Sequence, residues 1–354
     1  MSVTQKAFGT TAAGEQVTLY TMTNSTGATV SVTDLGAIVT SIVVPDRDGN
    51  MDDVTLGFDD FASYAKSHHS MGDTIGRYGN RIGKGRFTID GVTYQLELND
   101  HGKNSLHGGR GNFSTRMWAA EVKEQGDRDT VTFSRVSADG EEGFPGNLTV
   151  SVSFTWDEDC NLSIRYQAET DKPTLCNLTN HTYFNLGGHA HGTIRDHEVT
   201  LDADVITPVD SELIPLGGYM PVVGTPLDLR DGLLLGEGLD DAEACPQMVP
   251  AGGYDHNYVL RKGMAFGTCA TVWHEASGRL MEVLTDQPAC QLYTANTTNA
   301  VGRGGAVYGH HSALCLETQH CPDDPNNPQF PGTTILRPGE KYDTTTIYAF
   351  RVTD

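Results

Sequence analysis

The chain has little positive charge. Its 24 Lys and Arg stand against 46 Asp and Glu, a net charge of −22. Nucleic acids and anionic membranes both need a basic surface, so neither is an expected partner. Long apolar runs are missing too. None approaches the roughly 18 residues that cross a bilayer as a helix. The opening residues, Met1-Ser2-Val3-Thr4-Gln5-Lys6, lack the apolar core of a signal peptide, so export is not expected. There is no CxxC pair, and the seven cysteines are odd in number. Free thiols in a reducing, cytoplasmic compartment fit this better than a disulfide framework does. Cys315 and Cys321 flank Glu317 and His320, but without a CxxC or HExxH spacing no metal is expected. The phosphate-cradling GxxxxGK[ST] pattern is absent as well.

Helical periodicity is scarce. Only 59–66 reads as a short helix, opened by an aspartate. What fills the chain is alternation of period two. Leu148, Val150, Val152, Phe154 and Trp156 alternate with Thr149, Ser151, Ser153 and Thr155. Leu162, Ile164, Tyr166 and Ala168 repeat the pattern after a turn, which predicts an antiparallel hairpin with one buried face. Residues 87–94 predict another hairpin, its Asp90-Gly91 turn favouring type I′. Further strands are expected at 17–22, 28–32, 38–44, 130–136, 198–201, 268–274, 280–284 and 344–352. The implied fold is all-β, a large antiparallel β-sandwich with few short helices. Length alone suggests two domains. Residues 207–250 hold six prolines and could be a linker. Apolar anchors at Ile214, Leu216, Leu227 and 233–235 instead favour long loops packed across one domain spanning 1–354.

Several polar clusters stand out from this background. Asn177-Leu178-Thr179-Asn180-His181-Thr182-Tyr183-Phe184-Asn185-Leu186 sets one histidine among amides and aromatic rings, a mixture that suits a ligand made of hydroxyls. His181 reads either as a proton carrier or as part of a capped turn. Asn80 and Arg81 lie in Gly76-Arg77-Tyr78-Gly79-Asn80-Arg81-Ile82. Arg81 reads as a fork of donors to sugar hydroxyls or as a structural cation. His107 precedes two glycines in a tight turn that lets something approach the backbone. Asp255, between Tyr254 and Tyr258, reads as a ligand wall or as a turn aspartate bonding its own backbone. Alternation separates Glu317 and Cys315 from Leu314 and Leu316, so Glu317 is a general base or a salt-bridge partner. Gln291 is a similar inward polar position, and 321–331, with four prolines, is a rigid rim.

Taken together and in this order, 76–82, 104–109, 177–186, 253–258, 291–294 and 314–331 resemble the aldose 1-epimerase family, the galactose mutarotases. The resemblance runs from the amino-terminal strands to the last strand. It implies an antiparallel β-sandwich and interconversion of the α and β anomers of free sugars such as galactose and glucose, without cofactor. It also implies roles: Glu317 as general base, His181 as general acid, and His107, Asn80, Arg81, Asp255 and Gln291 as substrate-binding residues. A monomer or homodimer is expected. The alternatives are a mutarotase for maltose, a pentose or a hexose phosphate, and a non-catalytic sugar-binding protein on the same fold.

Overall fold

A computed structural model describes residues 1–353. Nine antiparallel strands form the largest sheet. In spatial order they are Ala119–Glu124, Arg128–Ser137, Leu148–Asp157, Asn161–Thr170, Tyr342–Val352, Arg279–Thr285, Gly267–His274, His197–Leu201 and Leu233–Leu234. Both predicted hairpins are present. Leu148–Asp157 pairs with Asn161–Thr170, and Arg86–Ile89 pairs with Val92–Gln95 around Asp90 and Gly91, both at positive φ.

One face of this sheet is dry. Val150, Val152, Phe154 and Trp156 are buried in one core with Leu162, Ile164, Tyr166 and Tyr348. The other face keeps the alternating hydroxyls, which pair across strands as Thr130 with Thr155 and Thr132 with Ser153. This is the hydrophobic-in, polar-out pattern of an antiparallel sheet solvated on one side.

Two five-stranded sheets cover the dry face. The first is an amino-terminal meander of Ser2–Thr10, Gln16–Thr23, Thr29–Thr33, Ile38–Pro45 and Met51–Asp53. Its Tyr20 meets Phe133 edge-on at 5.6 Å, and Trp156 Nε1 donates to the Ala28 carbonyl at 3.2 Å. The second has the order Met220–Pro221, Ala203–Ile206, Asp255–Leu260, Ala289–Tyr293 and Cys315–Gln319. It docks on the last strand, where the Tyr348 hydroxyl donates to the Leu316 carbonyl at 2.9 Å. Each large apolar side chain buried in these layers contributes about 1.5–3 kcal/mol. The second small sheet is the one that carries the chemical groups.

Some local features differ from the sequence expectation. Ser2–Thr10 is a strand although it lacks alternation; it is an edge strand, held by backbone pairing to Gln16–Thr23. Helix Phe61–Lys66 is the expected one, with Asp60 Oδ1 capping Ser63 N at 2.8 Å. A second helix, Leu235–Asp240, was not foreseen because its sequence contains two glycines. Those glycines permit close approach, since a Cβ at Gly238 would lie 1.8 Å from the Tyr254 hydroxyl. In 207–250, Leu227 and Leu235 enter the main core as expected, together with Val222, Leu229 and Leu239. Leu216 and Leu234, expected as anchors, are exposed. Among the described residues, no helix is long and apolar enough to cross a membrane.

Candidate active site

Three neighbouring strands of the second small sheet bring acids and amides into rows. Asn257, Gln291 and Glu317 stand opposite one another, as do Asp255, Tyr293 and Cys315. Leu314 and Leu316 belong to the main core and Cys315 to a separate cluster with Tyr183. The alternation read from sequence therefore turns Glu317 away from the main core. It faces a cavity of about 350 Å³ lined in part by Asn80, Arg81, His107, His181, Asp255 and Glu317. That volume is at the small end for ligand pockets, on the scale of a monosaccharide.

His181 follows the two-residue strand Thr179–Asn180, paired with Thr74–Ile75. Its N–H donates to the Asp73 carbonyl at 2.9 Å, and its carbonyl accepts from Gly72 N at 3.0 Å. The ring stacks on Tyr183, with centroids 5.0 Å apart, and meets Tyr293 edge-on at 6.1 Å. Its Nε2 lies 3.5 Å from Glu317 Oε1. Among the described residues, His181 Nδ1 and Glu317 Oε2 are buried without a hydrogen-bond partner.

Burial pushes the Glu317 carboxyl well above its ordinary value; the Asp255 charge adds to this, and the Arg81 guanidinium opposes it. Burial also pulls His181 down to about 4. Both effects disfavour charge, so the free cavity favours a neutral acid–imidazole pair sharing one titratable proton.

The turn around His107 works as expected. His107, Gly108 and Gly109 all have positive φ, and a Cβ on Gly108 would lie 2.3 Å from the Gly76 carbonyl oxygen. The turn thus lies against the segment that leads to Asn80. Asn80 N donates to His107 Nδ1 at 3.1 Å. Burial, with His181 and Arg81 nearby, holds His107 well below its usual value. The neutral ring therefore carries its proton on Nε2.

Arg81 is neither solvated nor free. Its Nε donates to Asp100 at 3.0 Å, and its Nη1 lies 3.8 Å from Asp255 Oδ2. Asp255 opens a strand rather than a turn, and its Oδ1 accepts from Gln291 Nε2 at 2.6 Å. Gln291, expected as a binding residue, stands one strand over from Asp255. It lies behind Asp255, outside the residues that line the cavity; its Nε2 donates to that carboxylate, and its Oε1 is buried without a hydrogen-bond partner.

The amides around His181 differ from the ligand groups their composition suggests. Asn180 Nδ2 donates to the Gly72 carbonyl at 2.9 Å, Asn185 Nδ2 to the Ser312 carbonyl at 2.9 Å, and Asn177 Oδ1 accepts from His320 N at 3.0 Å. They hold backbone, and only His181 and Tyr183 of 177–186 reach the cavity. Sequence reasoning missed Asp100, Tyr293 and the rim residues His68 and His69. Asp100 becomes recognisable only through its contact with Arg81, and Tyr293, although inside the 291–294 motif, only through its packing on His181.

A family model described as aldose 1-epimerase matches residues 18–349. The chain belongs to the aldose 1-epimerase family. Human galactose mutarotase is 44% identical over 353 residues, covering 99% of both chains. The aldose 1-epimerase of Escherichia coli (strain K12) is 37% identical, covering 95% of this chain and 96% of its own. A C. elegans aldose epimerase homologue superposes with a TM-score of 0.85 at 30% identity, over 94% of this chain and 98% of its own. The galactose 1-epimerase of Lactobacillus acidophilus NCFM gives 0.87 at 26% identity, over 100% and 99%.

Proposed function

We propose that this aldose 1-epimerase interconverts the α and β anomers of free aldoses such as galactose and glucose, with Glu317 as base and His181 as acid. The observation that carries the reading is the 3.5 Å approach of His181 Nε2 to Glu317 Oε1 in a buried cavity. The Glu317 carboxylate takes the proton from the O1 hydroxyl as protonated His181 donates to the ring oxygen O5. The C1–O5 bond breaks to the open aldehyde, which turns about C1–C2. Glu317 then returns its proton to O1 while His181 recovers the proton from O5. The protein exchanges only protons with the sugar and no oxidation state changes, so the chemistry calls for no redox partner.

Ring opening discharges an ion pair. The cyclic sugar meets carboxylate and imidazolium; the aldehyde meets carboxylic acid and imidazole. The second state is the one that burial favours, so the site opposes the charge separation that exists before opening. His107, as a neutral Nε2 donor, stabilises negative charge on oxygen. Arg81 and Asp255, fixed by Asp100 and Gln291, hold hydroxyls so that the aldehyde stays bound. The same reading treats 1–354 as one domain, supported by a core that joins all three sheets. It places the enzyme in the reducing cytoplasm, consistent with its seven free cysteines.

Polarimetry on freshly dissolved α-galactose tests the assignment. Glu317→Gln and His181→Asn should each lower kcat by about 10²–10⁴-fold with the fold intact. Near-wild-type anomerisation by either variant overturns it.

A further inference from the structure

Five residues past the end of the His181 segment, a second polar cluster is built on different residues. Asp196 sits among three histidines. Its Oδ1 lies 3.0 Å from His197 Nδ1, and its Oδ2 lies 2.9 Å from His191 Nε2 and 3.3 Å from His274 Nε2. His197 Nε2 accepts from the Leu186 N–H at 2.9 Å, so the neutral ring carries its proton on Nδ1 and donates it to Asp196. That bond fixes the carboxylate and leaves Oδ2 facing two imidazole nitrogens.

The three facing atoms, His191 Nε2, Asp196 Oδ2 and His274 Nε2, lie within 4.8 Å of one another. Tetrahedral bonds of about 2.0–2.2 Å separate ligand atoms by about 3.3–3.6 Å. The two spacings to Asp196 Oδ2, 2.9 and 3.3 Å, lie close to that range, and the two imidazole nitrogens lie within 4.8 Å of each other. Outer partners are in place as well. His274 Nδ1 lies 2.9 Å from Ser277 Oγ, and His197 orients Asp196.

The backbone also makes room for His191, which lies in the loop before strand His197–Leu201. A Cβ on Gly187 would lie 2.4 Å from His191 Cγ and 2.6 Å from its Cδ2. Gly187 is not among the residues at positive φ, so the space for that ring, rather than backbone conformation, is what requires glycine there. His274 is 3% exposed, but His191 is 32% and Asp196 52% exposed, which leaves an approach and a coordination position open to solvent.

We infer that His191, Asp196 and His274 bind a divalent transition-metal ion of borderline softness, Zn²⁺ by chemistry, in a site separate from the sugar cavity. Two imidazoles and a carboxylate suit that class rather than Ca²⁺ or Mg²⁺. The ion clips the loop at 187–192 to the end of strand Gly267–His274. His197 pairs with His274 and holds Leu186 N, so the clip also braces the segment that ends the His181 motif.

The test is calorimetric titration of ZnCl₂ into the chelator-treated full chain. The wild type should bind one equivalent at this site, and Zn²⁺ should raise its Tm. His191→Ala and Gly187→Ala should each weaken binding by about 10–100-fold or more, abolish the Tm rise and leave anomerisation unchanged. Glu317→Gln should bind as the wild type does, which separates this site from the His107, His181 and Glu317 group. Absence of binding to the wild type, equal affinity in His191→Ala, or loss of binding in Glu317→Gln alone each overturns the inference.

Discussion

Asn80 and His107 hold each other through reciprocal contacts. Asn80 N donates to His107 Nδ1 at 3.1 Å, and His107 N donates to the Asn80 carbonyl at 3.1 Å. Both residues have positive φ, 65° and 53°, a strained backbone costing about 1–3 kcal/mol each. The rest of the turn imposes that geometry, and its result is a neutral imidazole with its proton on Nε2. His107 is therefore a hydrogen-bond donor and not the acid. His107→Ala should lower kcat by about 10²–10³-fold, while the limbs of the pH–rate profile stay where they are. Loss of the acid limb in this variant would transfer the acid role from His181 to His107.

The pH profile of the wild type follows from the His181–Glu317 pair. With both groups protonated the pair has no base, and with both deprotonated it has no acid. Activity therefore tracks the one-proton form, whichever atom carries the proton. Burial lowers the first proton loss to about 4, that of His181, and raises the second well above the usual carboxylate range. The acid limb of kcat/KM should fall near pH 4, well below the ordinary histidine value of about 6.5. Anomerisation measured from pH 3.5 to 9 checks this, and an acid limb centred at 6.5 contradicts the burial argument.

The same shifts govern stability, with opposite signs. Glu317 has a raised folded value, so its unfolded form ionises first. The folded state then holds more protons, and stability falls as pH rises above about 4.5 toward the folded value. His181 has a lowered folded value, so stability falls as pH drops from about 6.5 toward 4. Glu317→Gln removes only the first dependence. Its urea midpoint should gain on the wild type at pH 8 relative to pH 4.5, even as activity is lost. Parallel curves for the two proteins across that range count against a protonated buried Glu317.

Much of this architecture is legible in the sequence, for a physical reason. Strands with one dry face alternate, and Leu148–Asp157 shows that alternation without interruption. Ser2–Thr10 does not, because an edge strand is held by backbone pairing and needs no apolar row. The site divides in a similar way. Glu317 could be placed because alternation fixes its face, and His107 because its glycines mark a close turn. Asn177, Asn180 and Asn185 look like ligand groups in the sequence, but folding spends them on backbone carbonyls and N–H groups. Local composition does not distinguish an amide that meets solute from one that meets backbone. Asp100 illustrates the converse, a necessary partner for Arg81 19 residues away.

Asp255 and Gln291 should separate in kinetics. Asp255 lines the cavity, faces Arg81 and raises Glu317. Asp255→Asn should raise KM and move the alkaline limb of the profile to lower pH, since Glu317 loses a repelling charge. Gln291→Ala leaves the Asp255 charge in place and removes only the 2.6 Å bond that orients it. It should raise KM by a smaller factor with the alkaline limb shifted less. An equal shift of the limb in both variants would show that Gln291 acts on Glu317 directly.

Gly72 is where backbone freedom and the position of His181 meet. It has φ of 81°, its N–H donates to the His181 carbonyl, and its own carbonyl accepts from Asn180 Nδ2. A Cβ there would lie 1.9 Å from the Val39 carbonyl oxygen, a backbone atom that cannot swing aside. Gly14 has a similar φ of 86° with nothing near its Cβ position. Gly14→Ala isolates the conformational cost, about 1 kcal/mol with kcat unchanged. Gly72→Ala adds the collision and moves the strand end that carries His181. It should be destabilised by several times that amount and lose about 10²-fold in kcat, as small displacements of a catalytic group do. Urea unfolding and polarimetric rates on the two variants measure both effects. Wild-type kcat in a destabilised Gly72→Ala would mean that His181 keeps its place without the Gly72 contact.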